Sequence, residues 1–228
     1  MRILLFGATG MIGQGALREC LRDPEVTSVQ SVVRRPSGSV HPKLRETLHG
    51  DFSDFTALLP EWEGLDACLW CLGVSAAGLG EAEYRRVTYD SALAAAEPLA
   101  RLNPGMRFVF ISGAGADSSE GGRTMWARVK GATENALLRL PFQAFVVRPA
   151  GIQPLHGIRS RTPVYRVFYL VLAPLLPLLR KAFPAWLTTT EELGRALLRI
   201  AKEGSPKRVL EAADIPGLGR PGPGSAAG

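Results

Sequence analysis

The first fourteen residues, Met1-Arg-Ile-Leu-Leu-Phe-Gly-Ala-Thr-Gly-Met-Ile-Gly-Gln14, constrain this chain more than any other stretch. An apolar run from Ile3 to Phe6 enters Gly7, and Gly10 and Gly13 follow at steps of three. That is the layout of a buried strand passing through a tight turn into a helix, where backbone N–H groups and the helix N-terminus hold a pyrophosphate. Gly7 permits the turn, Gly10 lets the backbone approach the phosphates, and Gly13 lets the helix lie close on the strand; Ala8, Thr9, Met11 and Ile12 complete the loop. Met11, Ile12, Ala16, Leu17 and Leu21 recur at helical spacing. The plain alternative is a glycine-rich turn that binds nothing.

The GxxGxxG spacing of Gly7, Gly10 and Gly13 resembles the fingerprint of the atypical and extended short-chain dehydrogenase/reductases, the epimerase-like branch of the NAD(P)-binding Rossmann proteins. An acidic residue that binds the adenosine ribose 2′-OH is expected about 20 residues beyond the glycines. Here the second strand, Val29 to Val33, runs into Arg34-Arg35-Pro36 with no carboxylate. Two guanidiniums suit a 2′-phosphate, so the residues favour NADP(H) over NAD(H). A pair of exposed basic residues at a strand end is the bland reading. The resemblance places Asp51, followed by Phe52, beside the adenine amino group; Asp51 also suits a helix cap. Cys71, Leu72 and Gly73 end the fourth strand, where the backbone is expected along the adenosine ribose.

Strands and helices alternate to about Arg148, which predicts an α/β fold: a doubly wound parallel sheet with helices on both faces and a small C-terminal helical extension. Strands are expected at Arg2–Phe6, Val29–Val33, Leu44–His49, Ala67–Cys71, Phe108–Ser112 and Ala144–Arg148. Helices are expected near Met11–Arg22, Glu83–Arg101 and Arg123–Leu140. The organisation reads as a cofactor domain over 1–155, an extension over 156–213 and a disordered tail over 214–228. The net charge of +6 is spread along the chain without the clustered basic stripe of a nucleic-acid binder, and Arg85 and Arg86 read as a solvated helix face. Three cysteines without a secretory signal suggest a reducing, cytoplasmic setting. Cys68 and Cys71 are three apart on a strand and point to opposite faces, which argues against a shared metal; no metal spacing appears elsewhere.

Arg107 to Asp117 resembles the family strand that delivers a catalytic serine, here Ser112. Met125 to Glu134 resembles its YxxxK helix, with Lys130-Gly131 and Glu134 similar to TIP30-like members. In the family, tyrosine and lysine one turn apart face one cleft, and the ammonium lowers the phenol pKa for proton transfer. Four residues before Lys130 stands Trp126, whose indole N–H donates a hydrogen bond but exchanges no proton at useful pH. Lys130 keeps the implied contact to the nicotinamide ribose, and Pro149, Gly151 and Ile152 resemble the segment bordering the nicotinamide. Tyr84, near the start of the helix after the fourth strand, is the substitute proton donor by position; a core or surface tyrosine is the plain reading.

After His156 comes a nearly continuous apolar stretch, 163–181, interrupted by Pro174 and Pro177. It reads as a lid over a substrate pocket, as a face for a protein or membrane surface, or, last, as a spanning helix. Thr189 or Thr190 caps a closing helix, and Arg208 to Glu211 reads as a last strand. Three functions fit: an NADP(H)-dependent oxidoreductase or epimerase acting on a small carbonyl substrate; an NADP(H)-sensing protein without turnover that reports through its apolar segment; and, third, a membrane-surface protein with a vestigial nucleotide fold.

Overall fold

Seven strands, apolar at the centre of the sheet and more polar in β2 and β3 at one edge, form the middle layer, all parallel: β1 (Arg2–Phe6), β2 (Ser28–Val33), β3 (Leu44–Leu48), β4 (Ala67–Trp70), β5 (Arg107–Ile111), β6 (Gln143–Arg148) and β9 (Val209–Glu211). Their order is β3-β2-β1-β4-β5-β6-β9, so the winding reverses between β1 and β4. In such sheets the crevice outside the strand C-termini at that reversal receives ligands. The computed structural model describes residues 1–158 and 186–220.

Alternate residues of each strand enter opposite layers. Ile3, Leu5, Leu69 and Val109 pack with Ala16, Leu17 and Cys20 of α1 (Met11–Arg22) and with Leu193, Ala196 and Leu197 of the closing helix α5 (Thr190–Glu203). Leu4, Phe6, Cys68, Trp70 and Phe108 pack on the other face, against the helices between β4 and β5 and between β5 and β6. Cys68 and Cys71 accordingly belong to different layers.

The helix expected over Glu83–Arg101 is longer and has three parts: α2 (Glu81–Arg85), a π-helical stretch (Arg86–Asp90) and α3 (Ser91–Leu102). The next, α4 (Met125–Leu138), is trimmed at both ends of the expected Arg123–Leu140, with Thr124 at its N-cap. Its Gly131 abuts the loop after β5 so closely that a Cβ there would lie 1.7 Å from the Asp117 carbonyl oxygen. At the start of α5, Thr189 and Glu192 make the reciprocal capping bonds of a capping box. Two short strands escaped the sequence reading: β7 (Gly151–Gln153) and β8 (Leu187–Thr189) pair in a separate parallel ladder.

The tail expected to be disordered from residue 214 begins instead with a short helix, α6 (Ile215–Gly219), in which Ile215 and Gly219 are buried. Ile215 and the half-buried Leu218 pack on the same core as α5, and Gly219 approaches it closely; a Cβ on Gly219 would sit 2.3 Å from the Glu192 carbonyl oxygen. Pro216 at the first turn forfeits no helical hydrogen bond. Residues 221–228 and the apolar stretch 163–181 lie outside the described residues.

Helices α1 and α5 touch backbone to backbone through Gly15 and Gly194. A Cβ on Gly15 would stand 2.4 Å from the Thr190 carbonyl oxygen, and one on Gly194 would stand 2.6 Å from that of Gly15. Gly15→Ala should therefore cost about 1–3 kcal/mol through overpacking. For a chain of this size that lowers the melting temperature by roughly 2–4 °C per kcal/mol, measurable by thermal denaturation; an unchanged melting temperature would refute the tight crossing.

Candidate functional site

The glycine turn at the end of β1 is drawn tight by its own backbone. Gly7 has φ +78°, a conformation that L side chains rarely adopt, and the Gly10 N–H donates to the Gly7 carbonyl at 2.8 Å. A Cβ on Gly7 would collide with the Cys71–Leu72 backbone at 2.6–2.7 Å, and one on Gly13 would lie 2.0 Å from the Gly7 carbonyl oxygen. Helix α1 starts at Met11 with Gly10 as N-cap, no side-chain cap and no acidic residue in its first turn. Its first amides are thus left for an anion. Ala8 is fully buried, which fixes the loop from beneath.

In front of this turn lies a cleft of about 380 Å³ lined by Gly7, Thr9, Val32, Val33, Arg34, Arg35, Phe52 and Leu72. A second cleft of about 290 Å³ shares Arg34, Phe52 and Leu72 and extends to Asp51, Gly73 and Arg86. The structure therefore brings the glycine turn, the arginine pair, Asp51, Phe52, Leu72 and Gly73 together at the C-terminal ends of β1, β2, β3 and β4. Phe52 is held from behind, its ring centroid 6.3 Å from that of Phe6 and 5.6 Å from that of Phe55. Asp51 lines the second cleft and also closes its own turn, its Oδ1 accepting from the Ser53 N–H at 2.9 Å and the Ser53 hydroxyl at 2.5 Å. The Ser53 hydroxyl, then its amide, hold the Asp51 carboxyl below its usual range. Cys71 contributes backbone, its N–H donating to the Phe6 carbonyl at 3.1 Å.

Ser112, Trp126 and Lys130 stand farther along the same sheet edge, outside the lining of both clefts. Ser112 is buried and donates its hydroxyl proton to the Glu134 carboxylate. Glu134, 1% exposed, also accepts from the Arg148 guanidinium, which reaches on to Glu211 at 2.9 Å and to the Ser118 hydroxyl at 2.7 Å. A hydroxyl whose single proton is committed to a carboxylate offers lone pairs, not a donor, to a neighbour. The sequence reading missed this network because Glu134 and Arg148 meet only once α4 lies across β6.

Trp126 lies over the loop after β5, close enough that Cβ atoms on Gly113 and Gly115 would touch its ring at 3.8 and 3.6 Å. Lys130 is half-buried, its amine donating to the Ile111 carbonyl at 3.3 Å and lying 5.3 Å from the Phe110 ring centroid. Burial of the amine, opposed by the Glu134 charge, lowers its pKa to about 8. Tyr84 is 2% exposed and lines neither cleft, and burial raises its phenol pKa. Pro149 accepts from the Ala114 N–H at 2.9 Å, and Gly151 and Ile152 form β7 beside β8.

No family model matches the chain. A relative described as Protein FMP52, mitochondrial, from Chaetomium globosum, is 30% identical over 236 residues, covering 95% of this chain and 96% of that protein. The chain belongs to the FMP52 family. Solved structures similar to this FMP52-family chain share its fold at low identity. WbmF of Bordetella bronchiseptica, solved with NAD+, superposes with a TM-score of 0.66 at 14% identity over 95% of this chain and 76% of that one. A short-chain dehydrogenase/reductase-family oxidoreductase of Burkholderia thailandensis gives 0.68 at 15% over 94% and 92%. A UDP-N-acetylglucosamine 4-epimerase of Methanobrevibacter ruminantium gives 0.69 at 14% over 92% and 74%. The fold is that of the NAD(P)-binding Rossmann proteins of short-chain dehydrogenase/reductase and epimerase type.

The Lys130 amine sets a pH dependence. The native amine releases its proton near pH 8, and the unfolded chain keeps it to about 10.5, so between those values the unfolded state binds more protons and stability rises with pH. The difference in unfolding free energy between the native sequence and Lys130→Met should grow in favour of the native sequence from pH 8 to about 10 in urea melts. A flat difference would show an amine in contact with water.

Proposed function

We propose that this chain is an NADP(H)-dependent oxidoreductase acting on a small carbonyl compound. The observation that carries the reading is the glycine cradle opening onto a cleft walled by Arg34 and Arg35, with no carboxylate at the end of β2. The space a Cβ would fill at Gly13 and the uncapped start of α1 fit a diphosphate, and the paired guanidiniums fit a 2′-phosphate that a carboxylate would repel. Crystallised neighbours of the same fold that carry NAD+ support a nicotinamide dinucleotide as cofactor.

A bound nicotinamide supplies hydride to a carbonyl carbon or takes it from an alcohol. The chain's part is to bind and orient. The α1 amides grip the diphosphate, Phe52 and Leu72 floor the adenosine, and the Lys130 amine holds the nicotinamide ribose. With a pKa near 8 that amine also exchanges protons close to neutrality, a role that the buried Tyr84 phenol fits poorly. Ser112, its hydroxyl proton committed to Glu134, has none left to polarise a substrate carbonyl.

Two observations favour a second reading, an NADP(H)-binding protein without turnover: Trp126 in the tyrosine position and the committed Ser112 hydroxyl. The free thiols support a reducing compartment, and cytoplasm and mitochondrion both satisfy that chemistry. Among the described residues no helix is long and apolar enough to cross a membrane; contact through 163–181 with a protein or lipid surface is part of the second reading.

The test begins with binding. NADPH at a hundred times its Kd should stabilise the chain by about 2.7 kcal/mol, with a smaller shift for NADH, and Arg34→Glu with Arg35→Glu should erase the preference. Lack of a shift with either nucleotide would end both readings. Steady NADPH oxidation with a panel of aldehydes, ketones and quinones, lost in Lys130→Ala, separates the oxidoreductase from the binder. Activity seen only in Trp126→Tyr would select the binder.

A further inference from the structure

The second cleft has a wall that the glycine and arginine motifs do not supply: the helix running from α2 into α3. Arg86, Val87 and Ser91 line it, together with Arg34, Phe52 and Leu72. Arg86 opens the π-helical stretch, an element that inserts one residue into a helix and re-aims the side chains around it. Tyr84 and Arg86 are two residues apart, about 200° around the helix, so the buried phenol turns Arg86 outward.

Neighbouring arginines are used differently. The Arg85 guanidinium lies 3.9 Å from the Tyr89 ring centroid, and its Nε stands 4.0 Å from the Asp90 carboxylate, which occupies it on the helix surface. Arg86 and Arg34 make no side-chain hydrogen bond or ion pair among the described residues. Asp51, the single carboxylate among the described lining of this cleft, is engaged through Oδ1 by Ser53. The cleft thus combines apolar groups suited to a planar base with one carboxylate, Asp51, and two arginines, Arg34 and Arg86, that have no ion-pair partner among the described residues.

We propose that Arg86 is a cofactor-specificity residue that reaches from this helix to the adenosine phosphate and, with Arg34, clamps the 2′-phosphate of NADP(H). This rests on the cofactor reading above. Near neutral pH a phosphate monoester carries close to two negative charges, which matches two guanidiniums and relieves their mutual repulsion. Cofactor choice then depends on two separate elements, the end of β2 and the helix after β4.

Adenosine halves of the cofactor isolate the contact from turnover: 2′,5′-ADP carries the diagnostic phosphate and 5′-AMP lacks it. By titration calorimetry, Arg86→Gln should weaken 2′,5′-ADP and NADPH at least tenfold and leave 5′-AMP and NADH within twofold, with Arg86→Lys recovering part of the loss. Unchanged 2′,5′-ADP affinity in Arg86→Gln, with a native chain that prefers 2′,5′-ADP, would overturn the role of Arg86 and leave the cofactor reading standing. Equal weakening of 2′,5′-ADP and 5′-AMP would overturn it as well, since Arg86 would then support the base or the fold. A native chain without preference for 2′,5′-ADP over 5′-AMP would bring down the NADP(H) reading and this proposal together.

Discussion

Backbone approaching backbone, where no side chain fits, is the constraint from which the glycine-turn half of this molecule is built. The Gly7 carbonyl oxygen occupies the place where a Cβ of residue 13 would go, and the Cys71–Leu72 backbone occupies that of residue 7. These exclusions lock β1, α1 and the end of β4 into one unit. The cleft opens because α1 can begin immediately beside the strand, with its first amides unused. The same device recurs where α4 meets the loop after β5 and where α1 meets α5. Each added methyl would have to push apart elements that the sheet holds in register, and interiors packed at crystal-like density have no slack to give.

The two halves of the site differ in kind. The part around the glycine turn is built from strand ends and an aromatic group, and its arginines make no ion pair among the described residues. Around Ser112 and Lys130 the charged groups are satisfied internally: Glu134 lies between Ser112 and Arg148, and the Lys130 amine rests on a carbonyl. Breaking such a buried pair leaves a charge stranded and costs far more than the pair contributes. The Ser112 hydroxyl is therefore positioned by a structural ion pair, which ties its geometry to the seating of α4 on β6.

Local pattern carried most of the fold. Parallel strands buried on both faces read as apolar runs, helices as periodic stripes, and the glycine steps as a phosphate turn; β1 and α1 were legible to the residue. Arg34, Arg35, Asp51 and Phe52 were legible because each follows a strand end, and strand ends converge at one edge. What stayed hidden depends on contacts distant in sequence. The Glu134–Arg148 pair forms across α4 and β6, β7 and β8 pair over a long interval, and α6 holds through Ile215, Leu218 and a glycine. Arg86 read as solvated surface although its helix was already placed at the ligand edge. A π-helical stretch leaves no periodic trace, so the direction of its first side chain emerges only in three dimensions.

The ladder of β7 and β8 carries a consequence for how such a chain can diversify. Ile152 and Thr188 stand on one rung, so the interval between them starts and ends at neighbouring points. Because the ladder itself brings the two ends together, the free energy of closing that interval changes only slowly with its length. Its composition and length can therefore drift without disturbing the sheet, while Thr189 starts the helix whose glycine rests on α1. The glycine turn and its cleft lie outside that interval, so such drift leaves them intact.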